Sequence, residues 1–171
     1  SQGTFYPSQR LPDSIYALIS GECKERKNPE IIRDLISFRS ELQFIIHGNG
    51  WVEYFDGHVP PNLKILPFDK NQHAILMRSA SALITLSKNE GGPLPVLEAL
   101  ASGTPVLATD TGFCREIIHQ NCGVILSKSS TLAEISKALD AVLKLKKEIH
   151  FSSLLPNGHS WEIFAERLYL L

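Results

Sequence analysis

Short apolar runs that alternate with amphipathic segments constrain the fold of this chain more than any other feature of its sequence. Turns that contain glycine, proline and asparagine separate these segments. Parallel strands need long crossover connections, usually helices, so the alternation predicts an α/β fold with a doubly wound parallel sheet of Rossmann-like type. The predicted strands are Ile15 to Ser20, Leu42 to Ile46, Leu63 to Leu66, Ala82 to Leu86, Thr104 to Ala108 and Gly123 to Leu126.

Helical patterns fill the stretches between these strands. Asn28 is a favourable N-cap for the first helix, and Pro29 follows it at the first helical position. The other predicted helices are Gln72 to Arg78, Val96 to Ala101, Phe113 to His119 and Thr131 to about Lys146. The chain thus divides into a linker over residues 1–14, one Rossmann-like domain over 15–150, and a loop with a terminal helix over 151–171.

Charge and hydropathy exclude several classes of protein. Lys and Arg total 17 against 18 Asp and Glu, so the net charge of -1 produces no field that would draw nucleic acid or an anionic membrane. No apolar run approaches the roughly 18 to 20 residues that span a bilayer, and the polar start lacks a signal-peptide pattern. We expect a soluble, cytoplasmic protein that binds no nucleic acid.

The cysteines indicate neither a disulfide framework nor a metal site. Cys23, Cys114 and Cys122 form no CxxC pair, and no histidine lies at zinc-ligand spacing from them. We expect three reduced, packed thiols and no bound metal.

The loops after the strands should carry the chemistry, because ligands of open α/β sheets bind at the carboxyl ends of the strands. In the first such loop Lys24, Arg26 and Lys27 come just before a helix N-terminus, whose dipole favours an anion. An anion site and a solvated charged loop both fit this segment.

The second loop contains a G-x-G at Gly48 and Gly50. The dinucleotide fingerprint also needs a third glycine and a helix that opens at this point, and the sequence predicts neither. A dehydrogenase is therefore a poor interpretation.

The loop between the predicted strand Ala82 to Leu86 and the predicted helix Val96 to Ala101 carries the strongest signal. Gly91 and Gly92 allow a ligand to approach the backbone, and Pro93 and Pro95 fall in the first turn, where a proline removes no helical hydrogen bond. The amides of Gly92 and Leu94 are expected to be free to face a phosphate.

Two carboxylates flank this helix start. Glu98 is the only polar side chain between Leu94 and Ala101, so it needs hydrogen-bond donors, such as sugar or ribose hydroxyls, to offset its burial. Alternatively, Glu90 only stabilises the helix N-terminus and Glu98 lies at a solvent edge. The residues themselves leave both interpretations open.

The stretch from Glu90 to Ile118, EGGPLPVLEALASGTPVLATDTGFCREII, resembles the donor-binding motif of retaining nucleotide-sugar glycosyltransferases of the GT-B fold. These belong to glycosyltransferase family 4, or glycosyl transferases group 1. Glu90 and Glu98 match the E-x7-E pattern of the family. Its A-x-G-x-P-V and G-x-x-x-E patterns are matched by Ala101, Gly103, Pro105 and Val106 and by Gly112 and Glu116.

The resemblance implies a hexosyltransferase that moves a hexose, with retention, from a nucleoside-diphosphate sugar to an acceptor hydroxyl in glycan or polysaccharide biosynthesis. The chain would be the C-terminal, donor-binding half of the GT-B fold, and residues 1–14 the inter-domain linker. The acceptor-binding half has no counterpart in the chain and would be the only route to peripheral membrane association. The nucleotide sugar is a substrate, and no cofactor or metal is implied.

The resemblance also implies roles for individual residues. Glu90 would contact the donor sugar and Lys27 would neutralise the departing diphosphate, as the catalytic pair. Glu98 would accept hydrogen bonds from the ribose hydroxyls. Further substrate contacts are implied for the backbone and side chains of Gly91, Gly92, Pro93, Leu94, Arg26, Pro67 and Phe68, the last two at the nucleobase.

Two departures from the family pattern keep other functions open. Glu22 stands where the family usually has an arginine, so Arg26 or Lys24 must substitute or catalysis is impaired. Pro93 stands where many members have glycine and removes one amide. The alternatives are a non-catalytic nucleotide-sugar-binding or regulatory module and, less favoured, a sugar-nucleotide epimerase of related fold.

Overall fold

A six-stranded parallel sheet forms the centre of the structure, a computed structural model that describes residues 15–148. Along the sheet the strand order is β3-β2-β1-β4-β5-β6, and every neighbouring pair is parallel. This order confirms the predicted doubly wound, Rossmann-like α/β fold. The strands are β1 (Tyr16–Ser20), β2 (Gln43–His47), β3 (Leu63–Leu66), β4 (Ala82–Thr85), β5 (Val106–Thr109) and β6 (Gly123–Leu126).

Helices connect the strands, and a short 3₁₀ turn (Glu25–Lys27) precedes the first of them. The α-helices are α1 (Pro29–Phe38), α2 (Trp51–Tyr54), α3 (Lys70–Ser79), α4 (Leu94–Ala101), α5 (Cys114–Ile117) and α6 (Leu132–Glu148). Within residues 15–148, none of these helices has the length and apolar character needed to cross a membrane. The predicted linker over 1–14 and the predicted loop and helix over 151–171 lie outside the described residues.

Two apolar layers cover the two faces of the sheet. Alternate residues of β1 serve the two layers: Ile19 belongs to the layer that contains α1 and α6, and Leu18 to the layer that contains α3, α4 and α5. All five residues of β1 are buried, as expected for a parallel strand covered on both sides. This double burial explains why the strands are nearly continuous apolar runs in the sequence.

Three local details differ from the predictions. Asn28 is the N-cap residue of α1 and Pro29 follows it, as predicted, but Asn28 adopts the left-handed conformation (φ 58°, ψ 55°) and its side chain makes no cap hydrogen bond. Helix α2 opens directly after Gly50, whose φ of 80° permits the tight entry. The strand predicted from Thr104 begins at Val106, because the Thr104 amide donates to the Ala99 carbonyl and closes α4.

The strand order places the loops after β1 and β4 side by side at the carboxyl edge of the sheet. The Lys88 amide donates to the Arg26 carbonyl at 2.8 Å, which ties these two loops together. On the other side of β1, a Cβ on Gly48 would lie 2.0 Å from the Gly21 carbonyl oxygen. The β1 and β2 loops therefore pack too closely for any side chain at position 48.

Candidate functional site

An ion cluster, in which Glu90 is buried and Arg26 is half-exposed, lies where the β1 and β4 loops meet. The Glu90 carboxylate is 2.6 Å from Lys27 Nζ and 2.5 Å from Arg26 Nη1, and it accepts a 3.0 Å hydrogen bond from Ser87. The Glu90 side chain is only 9% exposed and that of Lys27 13%. Burial raises the pKa of the Glu90 carboxyl, but the bonds and charges of Lys27, Ser87 and Arg26 outweigh it and leave that pKa below its ordinary value.

The turn after β1 aims two of its three cations at this carboxylate. Gly21 has a φ of 117° and leaves room for the Lys27 stem, since a Cβ there would lie 3.3 Å from Lys27 Cε. Lys24 instead pairs with Glu22 at 2.7 Å, and both side chains are more than half exposed. Arg26 and Lys27 are thus brought to Glu90, and Lys24 is not.

The backbone before α4 differs in one respect from the prediction. Pro93 (φ −72°, ψ 81°) forms an inverse γ-turn, in which the Leu94 amide donates to the Gly92 carbonyl at 2.8 Å. The Leu94 amide is therefore not free to face a ligand. In residues 15–148 no carbonyl or side chain accepts from the amides of Gly91 or Gly92, and a Cβ on Gly91 would meet open space.

A polar cavity of about 710 Å³ adjoins the ion cluster. Its volume suits a small-molecule ligand. Lys128, from the loop after β6, reaches across it to Asn89 Oδ1 at 3.4 Å. The cavity is lined by Arg26, Asn89, Glu90, Gly91, Asp110, Thr111, Gly112 and Lys128.

Glu98 has a protein partner that the sequence interpretation missed. Its Oε2 lies 2.9 Å from Nε2 of His73, on α3, and its side chain is 29% exposed. His73 in turn contacts His47, the last residue of β2, at 3.1 Å between the two Nδ1 atoms. Donors from the protein, and not only from a ligand, therefore offset the partial burial of Glu98. The sequence signals that could have indicated this contact are His47, at the end of an apolar strand, and His73, within a predicted helix.

Pro67 and Phe68 follow β3, and the Phe68 ring lies against the rings of both histidines. The Phe68 ring stacks on His47 with centroids 5.1 Å apart, and Phe68 is 54% exposed. Its amide donates to Asn49 Oδ1 at 3.2 Å, which fixes the β2 and β3 loops together. The predicted residues thus form two groups, one around Glu90 and one from Phe68 to Glu98.

The part of the chain that the structure describes holds no group of three His, Cys, Asp or Glu side chains able to bind a metal ion. In that part Cys23, Cys114 and Cys122 are free thiols; Cys114 and Cys122 are buried and Cys23 is partly exposed. Burial raises the pKa of each thiol.

Comparisons with known proteins identify glycosyltransferases. The family model described as "Glycosyl transferases group 1" matches residues 5–151. A curated relative from Xenopus tropicalis, glycosyltransferase 1 domain-containing protein 1, is 27% identical over 158 residues, which cover 91% of this chain and 45% of the relative. The chain thus spans less than half the length of that relative.

Solved structures share the fold. The C-terminal domain of the glycosyl transferase group 1 family protein LpcC from Francisella tularensis superposes with a TM-score of 0.71 at 18% identity, covering 98% of this chain and 97% of that one. Sucrose-phosphate synthase from Thermosynechococcus elongatus superposes with a TM-score of 0.74 at 18% identity, covering 99% of this chain and 49% of that one. At these identities the likeness establishes the fold alone.

Proposed function

The chain belongs to the glycosyl transferases group 1 family, and on this premise we propose that it binds a nucleoside-diphosphate sugar as the donor half of a retaining hexosyltransferase. A separate domain would bind the acceptor. The chain covers only 45% of its curated relative, which leaves room in that relative for such a domain.

One observation carries the proposal: two cations converge at the carboxyl edge of the sheet, beside two backbone N–H groups that have no hydrogen-bond acceptor in the described residues. Lys27 and Arg26 come from the loop after β1, while the amides belong to Gly91 and Gly92 in the loop after β4. Neighbouring strands whose connections run in opposite directions form the crevice in which α/β sheets bind ligands. A diphosphate in this crevice would share both cations with Glu90.

The second group of residues suits the nucleoside. Glu98 is exposed enough to accept hydrogen bonds from ribose hydroxyls. Phe68 presents more than half of its surface to solvent, and an exposed aromatic ring can stack on a base. These contacts would place the base toward β3 and the diphosphate between β1 and β4.

In the proposed reaction, the bond between the anomeric carbon and the diphosphate oxygen breaks while a bond to the acceptor oxygen forms on the same face of the sugar. The acceptor proton leaves with the nucleoside diphosphate. Negative charge grows on the departing phosphate, where the preorganised cations Lys27 and Arg26 would stabilise it. Glu90 would contact the hexose, and catalysis would come mainly from positioning.

Calorimetric titration of the 171-residue chain with UDP and with GDP tests the proposal. We expect measurable binding of one nucleotide, weakened about tenfold or more in Glu98→Ala, because each hydrogen bond to a charged group contributes about 1.5–3 kcal/mol. Glu41→Ala is the control, since Glu41 is exposed and precedes β2, at the opposite edge of the sheet. Equal, negligible affinity of all variants for both nucleotides would contradict the proposal.

Glu22 favours a second candidate, a nucleotide-sugar-binding module without turnover. Its carboxylate stands in the β1 loop, in the place of the usual family arginine, and its partner Lys24 is thereby occupied. A large gain in nucleotide affinity in Glu22→Arg would indicate a decayed site. An unchanged affinity would indicate that Arg26 already serves as the second phosphate contact.

A further inference from the structure

Two buried histidines connect the end of β2 to Glu98. His47 is fully buried and His73 nearly so. The contacts run from His47 Nδ1 to His73 Nδ1 (3.1 Å) and from His73 Nε2 to Glu98 Oε2 (2.9 Å). The result is a continuous path of polar contacts from the interior to a carboxylate that reaches solvent.

A backbone amide fixes the direction of every hydrogen bond in this path. The Asp69 amide donates to His47 Nε2 at 3.0 Å, so this nitrogen carries no proton. The proton of neutral His47 is therefore on Nδ1 and is donated to His73 Nδ1. His73 then carries its own proton on Nε2 and donates it to Glu98, a tautomer assigned from the network.

The same geometry assigns one donated N–H to each ring. A second proton on His47 would oppose the Asp69 amide, and a proton on His73 Nδ1 would set two N–H groups against each other across 3.1 Å. Burial lowers the pKa of His47, as does the adjacent His73, and the Asp69 charge opposes them only in part. Asp69 and Glu98 are the acidic side chains beside the pair.

We propose that His73, oriented by His47, is a positioning residue that sets Glu98 to bind the vicinal hydroxyls of a ribonucleotide. This inference rests on the proposed function. The His73 N–H engages Oε2 and leaves Oε1 for the ligand. Because His73 donates as an uncharged imidazole, it orients the carboxylate and leaves intact the negative charge that attracts the hydroxyls. A lysine or arginine in its place would cancel that charge.

The test compares UDP and GDP with their 2′,3′-dideoxy analogues in calorimetric titrations of the full chain. The wild type should prefer the ribonucleotide about tenfold. His73→Leu should reduce this preference to near unity and leave affinity for the dideoxy analogue unchanged. His58→Leu, at an exposed histidine, should behave as the wild type.

Amide variants keep the test decisive if His73→Leu does not fold. The amide nitrogen of glutamine reaches the Nε2 position of histidine and that of asparagine only the Nδ1 position, so His73→Gln should retain most of the preference and His73→Asn should lose it. Thermal melts monitor folding of every variant.

Different results overturn the two proposals. If Glu98→Ala loses the ribose preference but His73→Leu or His73→Asn keeps it, the inference fails and the proposed function stands. If His73→Leu weakens binding of the ribonucleotide and of its dideoxy analogue equally, His73 has only a structural role and the inference fails. The inference also fails if His73→Gln and His73→Asn show the same ribose preference. If the wild type binds neither nucleotide, both proposals fail.

Discussion

Replacing Lys27 by methionine removes the most buried cation of the site and keeps most of its shape. Lys27 Nζ lies 2.6 Å from Glu90 Oε1, and its stem packs where Gly21 leaves room. Methionine can fill the space of the stem but cannot donate to the carboxylate. The variant therefore tests the charge–charge contact rather than the packing.

The expected loss of stability follows from what Glu90 retains. One charge-assisted hydrogen bond is lost, which costs about 1.5–3 kcal/mol. Arg26 and Ser87 still contact Glu90, so the larger penalty of an isolated buried charge, about 3–5 kcal/mol, does not apply. At about 2–4 °C per kcal/mol for a chain of this size, Tm should fall by about 3–12 °C.

Urea unfolding at two pH values tests the expected direction of the pH dependence. Because the folded-state pKa of Glu90 is lowered, its stabilising contribution is present above the ordinary value of 4.5 and is lost as the pH falls through the folded value. The stability difference between wild type and Lys27→Met should be full at about pH 7 and smaller at about pH 3.

Lys24→Met is the matched control for the Lys27 variant. Lys24 pairs with Glu22 at the exposed surface, where an ion pair contributes less than about 1 kcal/mol. The stability and nucleotide affinity of Lys24→Met should stay near those of the wild type. Lys27→Met, in contrast, should weaken UDP or GDP binding at least about tenfold. The reasoning is refuted if the two variants behave alike, or if the effect of Lys27→Met is independent of pH.

Three further predictions concern single residues in or near the candidate site. Gly91→Ala should melt as the wild type, because its Cβ meets open space, yet weaken nucleotide binding in calorimetry. Gly48→Ala should lose about 1–3 kcal/mol or more in urea unfolding, since its Cβ would clash with the Gly21 carbonyl. Wild-type stability should decline as the pH falls from 6.5 through the lowered pKa of His47, and His47→Leu should flatten that decline; an unchanged slope contradicts this.

Much of the fold could be predicted from the sequence, because a sheet covered on both faces imposes apolar runs that need no tertiary information. The runs at β3 and β6 were located at both ends, and only the edges of the others shifted. The errors occurred where the backbone conformation depends on a neighbour. Asn28 is left-handed because a 3₁₀ turn precedes it, and α2 is only four residues long, too short to show periodicity.

The arrangement of the candidate site could be predicted where its residues share one loop, but not where they meet across the fold. Glu90 and Glu98 lie in one motif, but Glu98 and His73 come together only because α3 and α4 pack side by side. The orientation of His47 depends on the Asp69 amide, a backbone contact that leaves no trace in residue types. The Leu94 amide is engaged because Pro93 forms a γ-turn, which the sequence alone did not indicate.

An amide-resolved NMR titration of the ¹⁵N-labelled chain with UDP and with GDP tests the central claim most directly. Saturable shifts should be largest at Gly91, Gly92 and Lys27, where the diphosphate would lie. The amide of Glu41, at the opposite edge of the sheet, should not move. Saturable shifts confined to that opposite edge, or no shifts with either nucleotide, would contradict the assignment of a nucleoside-diphosphate site to this crevice.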